Sequence, residues 1–219
     1  MKKLILGIAI LAIAMMSFGQ RQGGFRNRFG GPAALLARDD VKKDLALTDD
    51  QNEKIAPIID MQAQFPKMQA AMQAAGLSFQ DMGTDEGQKK ARPVFEKIQA
   101  DQRKEIDAVL TPAQSKRLDE INIQFNGNRS ANLPAVQKAL GLSADQIEKL
   151  SALSKAQQTA MRGLRQKVGD GEMTQEDMQA KITKNDEIMD AEIAKILTEP
   201  QKAKLKELGG KKFDRKDDN

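Results

Sequence analysis

The chain has 219 residues, 30% of them charged and only 4% aromatic, with no Trp, Tyr, His or Cys and a formal net charge of +4. The lack of Cys and His excludes disulfides, thiol chemistry and histidine-based triads, and with them most transition-metal sites. A charge balance this even argues against wholesale nucleic-acid binding, and thinly spread apolar residues suit long helices with narrow seams better than one thick core.

Lys2 and Lys3 precede an apolar run from Leu4 to Met16, and Ser17-Phe18-Gly19 places small residues before a cut at Gln20. This pattern predicts a signal peptide over 1–19, hence an exported, periplasmic protein with no stable membrane span after cleavage. An uncleaved anchor is the alternative, although the run is short for a bilayer. No Cys lies at the junction, which excludes lipoprotein processing. Residues 20–33 are rich in Gly and Arg and too poor in apolar surface to order themselves, so they read as a flexible tether.

A short helix is expected over about 34–45. It runs into Leu47-Thr48-Asp49-Asp50-Gln51, the first of four similar motifs. A hydroxyl followed three residues later by Gln is a capping box, in which each side chain takes up a free backbone N–H at a helix start. The preceding Leu can staple the incoming segment to the new helix. A long helix follows over about 49–75, with Ile55, Ile58, Ile59, Phe65, Met68 and Met72 on one side. Pro57 and Pro66 fall inside it, so it is expected to kink or break. After a turn near Gly76 a second long helix returns over about 86–109 and meets the second box, Leu110-Thr111-Pro112-Ala113-Gln114. That box launches a helix over 112–126, stopped by Gly127.

The pattern then repeats. A short helix at about 134–140 leads to the third box, Leu142-Ser143-Ala144-Asp145-Gln146, and to a long helix over about 144–168. Ile147, Leu150, Ser154, Gln157, Met161, Leu164 and Val168 there keep a pairing seam of about 3.5 residues, with two polar interruptions. Thr174 and Asp177 start the return helix, about 175–196. The fourth box, Leu197-Thr198-Glu199-Pro200-Gln201, opens a last helix to Leu208, stopped by Gly209-Gly210. Residues 211–219 read as a charged, frayed tail. No stretch alternates with a strand period, so the fold class is all-α.

Shifted by 95 positions, Val41, Lys43, Leu45, Leu47, Asp50, Gln51, Glu53 and Lys54 meet identical residues from Val136 to Lys149. Shifted by 87, Glu105, Ile106, Leu110, Thr111, Gln114 and Leu118 meet identical residues from Glu192 to Leu205. The expectation is a tandem duplication of a four-helix, hairpin-based unit, covering 34–127 and 132–210. The first copy carries eight extra residues around Gly76 to Gly87.

Carboxylates are plentiful, but they stand at helix spacing from Lys or Arg, as solvated faces do, and no loop has calcium-site spacing. No catalytic residue, cofactor site or metal site is expected. Eleven methionines stand out in so small an apolar inventory. They read first as seam filling and second as a pliable contact surface, while copper would need several thioethers to converge. Met61, Met68, Met72 and Met161, with the cations Arg92, Lys97, Arg103, Arg162 and Arg165, are the candidate contacts for a polypeptide partner.

The four boxes, with their helix order, resemble the LTXXQ-motif family of periplasmic proteins, the Spy- and CpxP-like family. The resemblance spans most of 35–208. It implies a thin curved cradle that holds unfolded clients without ATP, built here as an internal pseudo-dimer or as a homodimer. It also implies two alternatives, an accessory or inhibitor of an envelope-stress sensor kinase and a metal-resistance-associated protein. The histidines of the family's metal-responsive members are missing from this chain.

Overall fold

The computed structural model describes residues 31–78, 81 and 84–215. The expected signal peptide, nearly all of the leader, residues 216–219 and part of the expected eight-residue insertion lie outside them. Among the described residues there is no strand. The helices are α1 (Pro32–Leu35), α2 (Asp39–Asp44), α3 (Asp49–Ile59), α4 (Met61–Ala74), α5 (Asp85–Val109), α6 (Pro112–Asn126), α7 (Pro134–Leu140), α8 (Ala144–Gly169), α9 (Gln175–Ile196) and α10 (Glu199–Leu208). A 3-10 segment, Gly127–Asn132, links α6 to α7.

The expected short helix over 34–45 is divided into α1 and α2. Leu35, Leu36 and Val41 are all fully buried, and one straight helix cannot turn neighbouring positions and a site five residues on into the same core. A turn through Ala37 and Arg38 reorients the chain between them.

All four boxes form as capping boxes, with Thr48, Thr111, Ser143 and Thr198 each exchanging bonds with the Gln three residues on. Their leucines pack into the cores, Leu110 and Leu197 buried, Leu47 and Leu142 partly so. The glutamines also do something that no local reading of the motif contains. Gln51 Nε2 donates to Gln114 Oε1 (2.8 Å) and to the Val109 carbonyl (3.0 Å). Gln114 Nε2 returns a bond to Gln51 Oε1 (3.0 Å) and donates to the Leu45 carbonyl (3.1 Å). In the second half Gln146 and Gln201 exchange the same pair (2.7 and 3.1 Å), and Gln146 reaches the Ile196 carbonyl (2.9 Å). Each hairpin is closed at its base by a reciprocal amide clasp.

The approach to the first and third boxes is also shared. Leu47 N–H reaches the Lys42 carbonyl and Ala46 N–H that of Lys43; Leu142 and Gly141 do the same with Gln137 and Lys138. This Schellman turn needs a left-handed residue. Gly141 supplies it at φ 61°, whereas Ala46 is held at φ 49° against its Cβ.

The long helix expected over 49–75 breaks at Asp60, three residues after Pro57. Asp60 caps α4 by accepting from Gln62 N–H (2.9 Å). Carbonyls released by the break find side chains: Pro57 O accepts from Gln64 Nε2 (2.9 Å) and Ile58 O from Gln102 Nε2 (2.8 Å). Pro66 and Pro93 sit inside α4 and α5 without interrupting them.

Two main cores result. The first gathers Leu35, Leu36, Val41, Leu45, Ile55, Ile58, Ile106, Leu110, Leu118 and Ile121. The second gathers Ile123, Val136, Leu140, Leu150, Met189, Ile193, Leu197 and Leu205. Helix α6 serves both, through Leu118 and Ile121 on one side and Ile123 on the other. The polar interruptions of the α8 seam are paired: Ser154 donates to Asn132 (3.0 Å) and Gln157 to Asp186 (3.1 Å). Asp186, 3% exposed, also meets Arg129 of the 3-10 segment at 2.9 Å. Ile147, expected to begin that seam, is instead on the outer face of α8, 37% exposed.

The frayed tail is a correction as far as residue 215. Phe213 is 7% exposed and belongs to the first core, its ring centroid 5.7 Å from that of Phe125. Its N–H donates to Gln124 Oε1 (2.8 Å), and the Lys211 carbonyl accepts from Arg117 (2.6 Å) and Gln124 (2.7 Å). Arg38 and Arg215 both lie over the Phe125 ring, at 5.3 and 4.6 Å. One buried aromatic, invisible as part of any periodic stripe, outweighs the charges around it.

Two outcomes follow for stability. In a thermal double-mutant cycle, Gln51→Ala and Gln114→Ala should be non-additive by about 0.5–3 kcal/mol, whereas purely local caps would add. Ala46→Gly should raise the melting point, by about 1 kcal/mol of stability, because it relieves the left-handed strain.

Candidate binding surface

Helix α4 carries Met61, Phe65, Met68 and Met72 at positions i, i+4, i+7 and i+11, which share one face. The stripe sinks along its length: Met61 is 83% exposed, Phe65 47%, Met68 half-buried and Met72 1%. Met72 was expected among the contact residues. The structure corrects this, since it packs with Leu77 and Ala91 in a small cluster near the hairpin tip. The exposed end of the stripe stands at the Asp60 break, where α3 and α4 cease to share an axis. There a shallow groove of about 330 Å³ is lined by Pro32, Ala33, Ile59, Met61, Gln99 and Arg103, among others. Helix α4 has no Asp or Glu, and its one cation, Lys67, is bonded to Glu105 of α5 (3.0 Å).

Three of the expected cations are held in ion pairs. Arg92 pairs with Glu96 (2.9 Å) and Lys97 with Asp101, each one turn along α5. Arg103 is a strut between helices, bonded to Asp107 of its own helix (2.9 Å) and to Asp119 of α6. Those two carboxylates hold its guanidinium above the ordinary arginine range even though burial pushes it down. On α8, Met161 is half-buried, while Arg162 and Arg165 are exposed. That helix has no Asp or Glu after Glu148, so its distal half is the more basic surface. A second apolar strip, flat rather than grooved, runs along its outer face through Ala144, Ile147 and Ala152. The structure thus brings Met61, Met68 and Arg103 to one region and leaves Met161, Arg162 and Arg165 on the other hairpin.

Phe65, expected on the same side of the helix as Met68 and Met72, and Gln99 were not among the expected contacts. The spacing of Met61, Phe65 and Met68 on a helix without carboxylates carried the signal. Only the break at Asp60 turns that spacing into an exposed face. Among the described residues no three His, Cys, Asp or Glu side chains gather as a metal site, and no helix is long and apolar enough to cross a membrane.

Compared with known proteins, the chain matches no family model, no curated protein and no solved structure. The class established is that of an all-α protein.

Burial pushes the Asp107 carboxyl upward, but bonds from Arg103 and Ser115 (2.8 Å) more than offset this and hold it below the usual carboxylate range. A carboxylate depressed in the folded state contributes stability above its unfolded value of about 3.9 and loses it as pH falls through the folded one. Urea melts of the wild type and Asp107→Asn should therefore differ at neutral pH and converge as the pH is lowered from about 5 to 2.

Proposed function

We propose that this chain is an exported, non-enzymatic protein that holds unfolded polypeptides without ATP on an exposed helical face. The carrying observation is the stripe of Met61, Phe65 and Met68 beside an open groove, on a helix free of carboxylates. Exposed large apolar side chains at neighbouring positions favour loose contact with apolar segments, and flexible thioethers adapt to many of them. Arg162 and Arg165 on the second hairpin would add electrostatic capture rather than specificity.

The reading is supported by the four boxes, which resemble those of the LTXXQ-motif family. We also read the halves as products of a tandem duplication. The identical residues at fixed shifts and the recurrence of the Gln51–Gln114 clasp as Gln146–Gln201 support that history.

Light scattering of an aggregating client, without nucleotide, should show suppression at stoichiometric protein. Met61→Asp combined with Phe65→Asp should remove most of it while leaving the helical circular-dichroism spectrum and melting point nearly unchanged. Absence of suppression by the wild type, with saturable binding to one folded sensor domain, would move the assignment to a signalling accessory.

A further inference from the structure

We propose that Met61 is a redox-sensitive modification site, whose oxidation by a peroxide lowers the affinity of the groove for apolar polypeptide. The functional half of this inference rests on the groove being a client site; the chemical half does not.

Of the seven methionines among the described residues, Met61 alone is exposed, at 83%. Met72 and Met189 are buried at 1% and 6%, and Met68, Met161, Met173 and Met178 are half-buried. Oxidation of a thioether needs an unobstructed approach to a sulfur lone pair, so exposure ranks these residues by reactivity. In the step itself the Met61 sulfur attacks one peroxide oxygen. An S–O bond forms, the O–O bond breaks, and the proton on the attacked oxygen passes to the departing hydroxide, which leaves as water. The sulfur loses two electrons and the peroxide gains them.

The surroundings give the product an effect. A thioether is an apolar, weakly accepting group, whereas a sulfoxide is polar and accepts hydrogen bonds strongly. Met61 shares the groove with Gln99, Gln102 and Arg103. The amide of Gln102 already serves the Ile58 carbonyl, and Arg103 is bonded to Asp107 and Asp119. Gln99, the third donor lining the groove, is placed to meet a new acceptor. Oxidation would therefore replace the most exposed apolar contact of the stripe with a polar group that can bond across the groove. Phe65 and Met68 would be left to hold a client without it. Buried Met72 marks the other end of the same stripe, where the thioether is shielded and serves packing only.

The test uses the full chain treated with limiting hydrogen peroxide, with peptide mapping by mass spectrometry and binding to casein, a permanently unfolded polypeptide. Met61 sulfoxide should form several-fold faster than the sulfoxides of Met68, Met161, Met173 and Met178. Casein binding should weaken about tenfold in step with it, the order expected when one apolar anchor becomes polar. Casein binding by Met61→Leu, at whatever level it starts, should be insensitive to the same dose, while Met61→Gln should bind as the oxidised chain does. Equal oxidation of a half-buried methionine, or equal loss of binding by Met61→Leu after treatment, overturns the proposal. No casein binding before any treatment overturns the client-site reading and the functional half with it, whatever the mapped order of oxidation. Binding that is present and unmoved by complete Met61 oxidation overturns this inference and leaves that reading standing.

Discussion

The reciprocal amide pair at the base of each hairpin is the constraint on which the arrangement depends. A capping box asks only for an acceptor at its fourth position, and Glu serves there as well as Gln. The clasp asks for more. The Gln51 oxygen accepts from the Thr48 N–H and from Gln114, while its amide nitrogen donates to Gln114 and to Val109. Only a carboxamide can do both jobs, and two glutamates facing each other would repel. The clasp sets the start of α3 beside the start of α6, and thereby the depth at which Leu45, Leu47 and Leu110 enter the core.

On this common base the two hairpins diverge. The first is interrupted at Asp60 and repairs its released carbonyls with glutamine side chains, which leaves an apolar stripe partly uncovered. The second is continuous and carries polar residues inside its seam, answered by Asn132, Arg129 and Asp186. A half-satisfied polar seam would destabilise its helix pair, so the 3-10 segment and α8 depend on each other. Helix α6 then joins the hairpins by contributing Ile121 to one core and Ile123 to the other.

What could be read from the sequence was what local chemistry decides. The four helix starts, the stops at Gly127 and Gly209-Gly210 and the return helices follow from residues within a turn or two of each site. The disruption caused by Pro57 was readable as well, because a missing N–H and a ring clash act within four residues. Its placement at Asp60 was not, since that depends on Gln102 from another helix. Pairing of the boxes was equally hidden, because each looks complete alone. The candidate contacts divided along the same line. Met61 and Met68 kept their places on an open stripe, while Met72 and Arg103 were drawn inward by partners distant in sequence.

The strap from Lys211 to Arg215 has a consequence for the order in which this chain can acquire its structure. Gln124 binds the backbone of Phe213, a residue 89 positions downstream. A polypeptide emerging from its N-terminus displays α1 to α6 long before Phe213 exists to join Leu35 and Leu36 in the first core. Domains formed early during synthesis usually complete themselves early. Here the first core is finished last, and its closure reports that the second half has already been made.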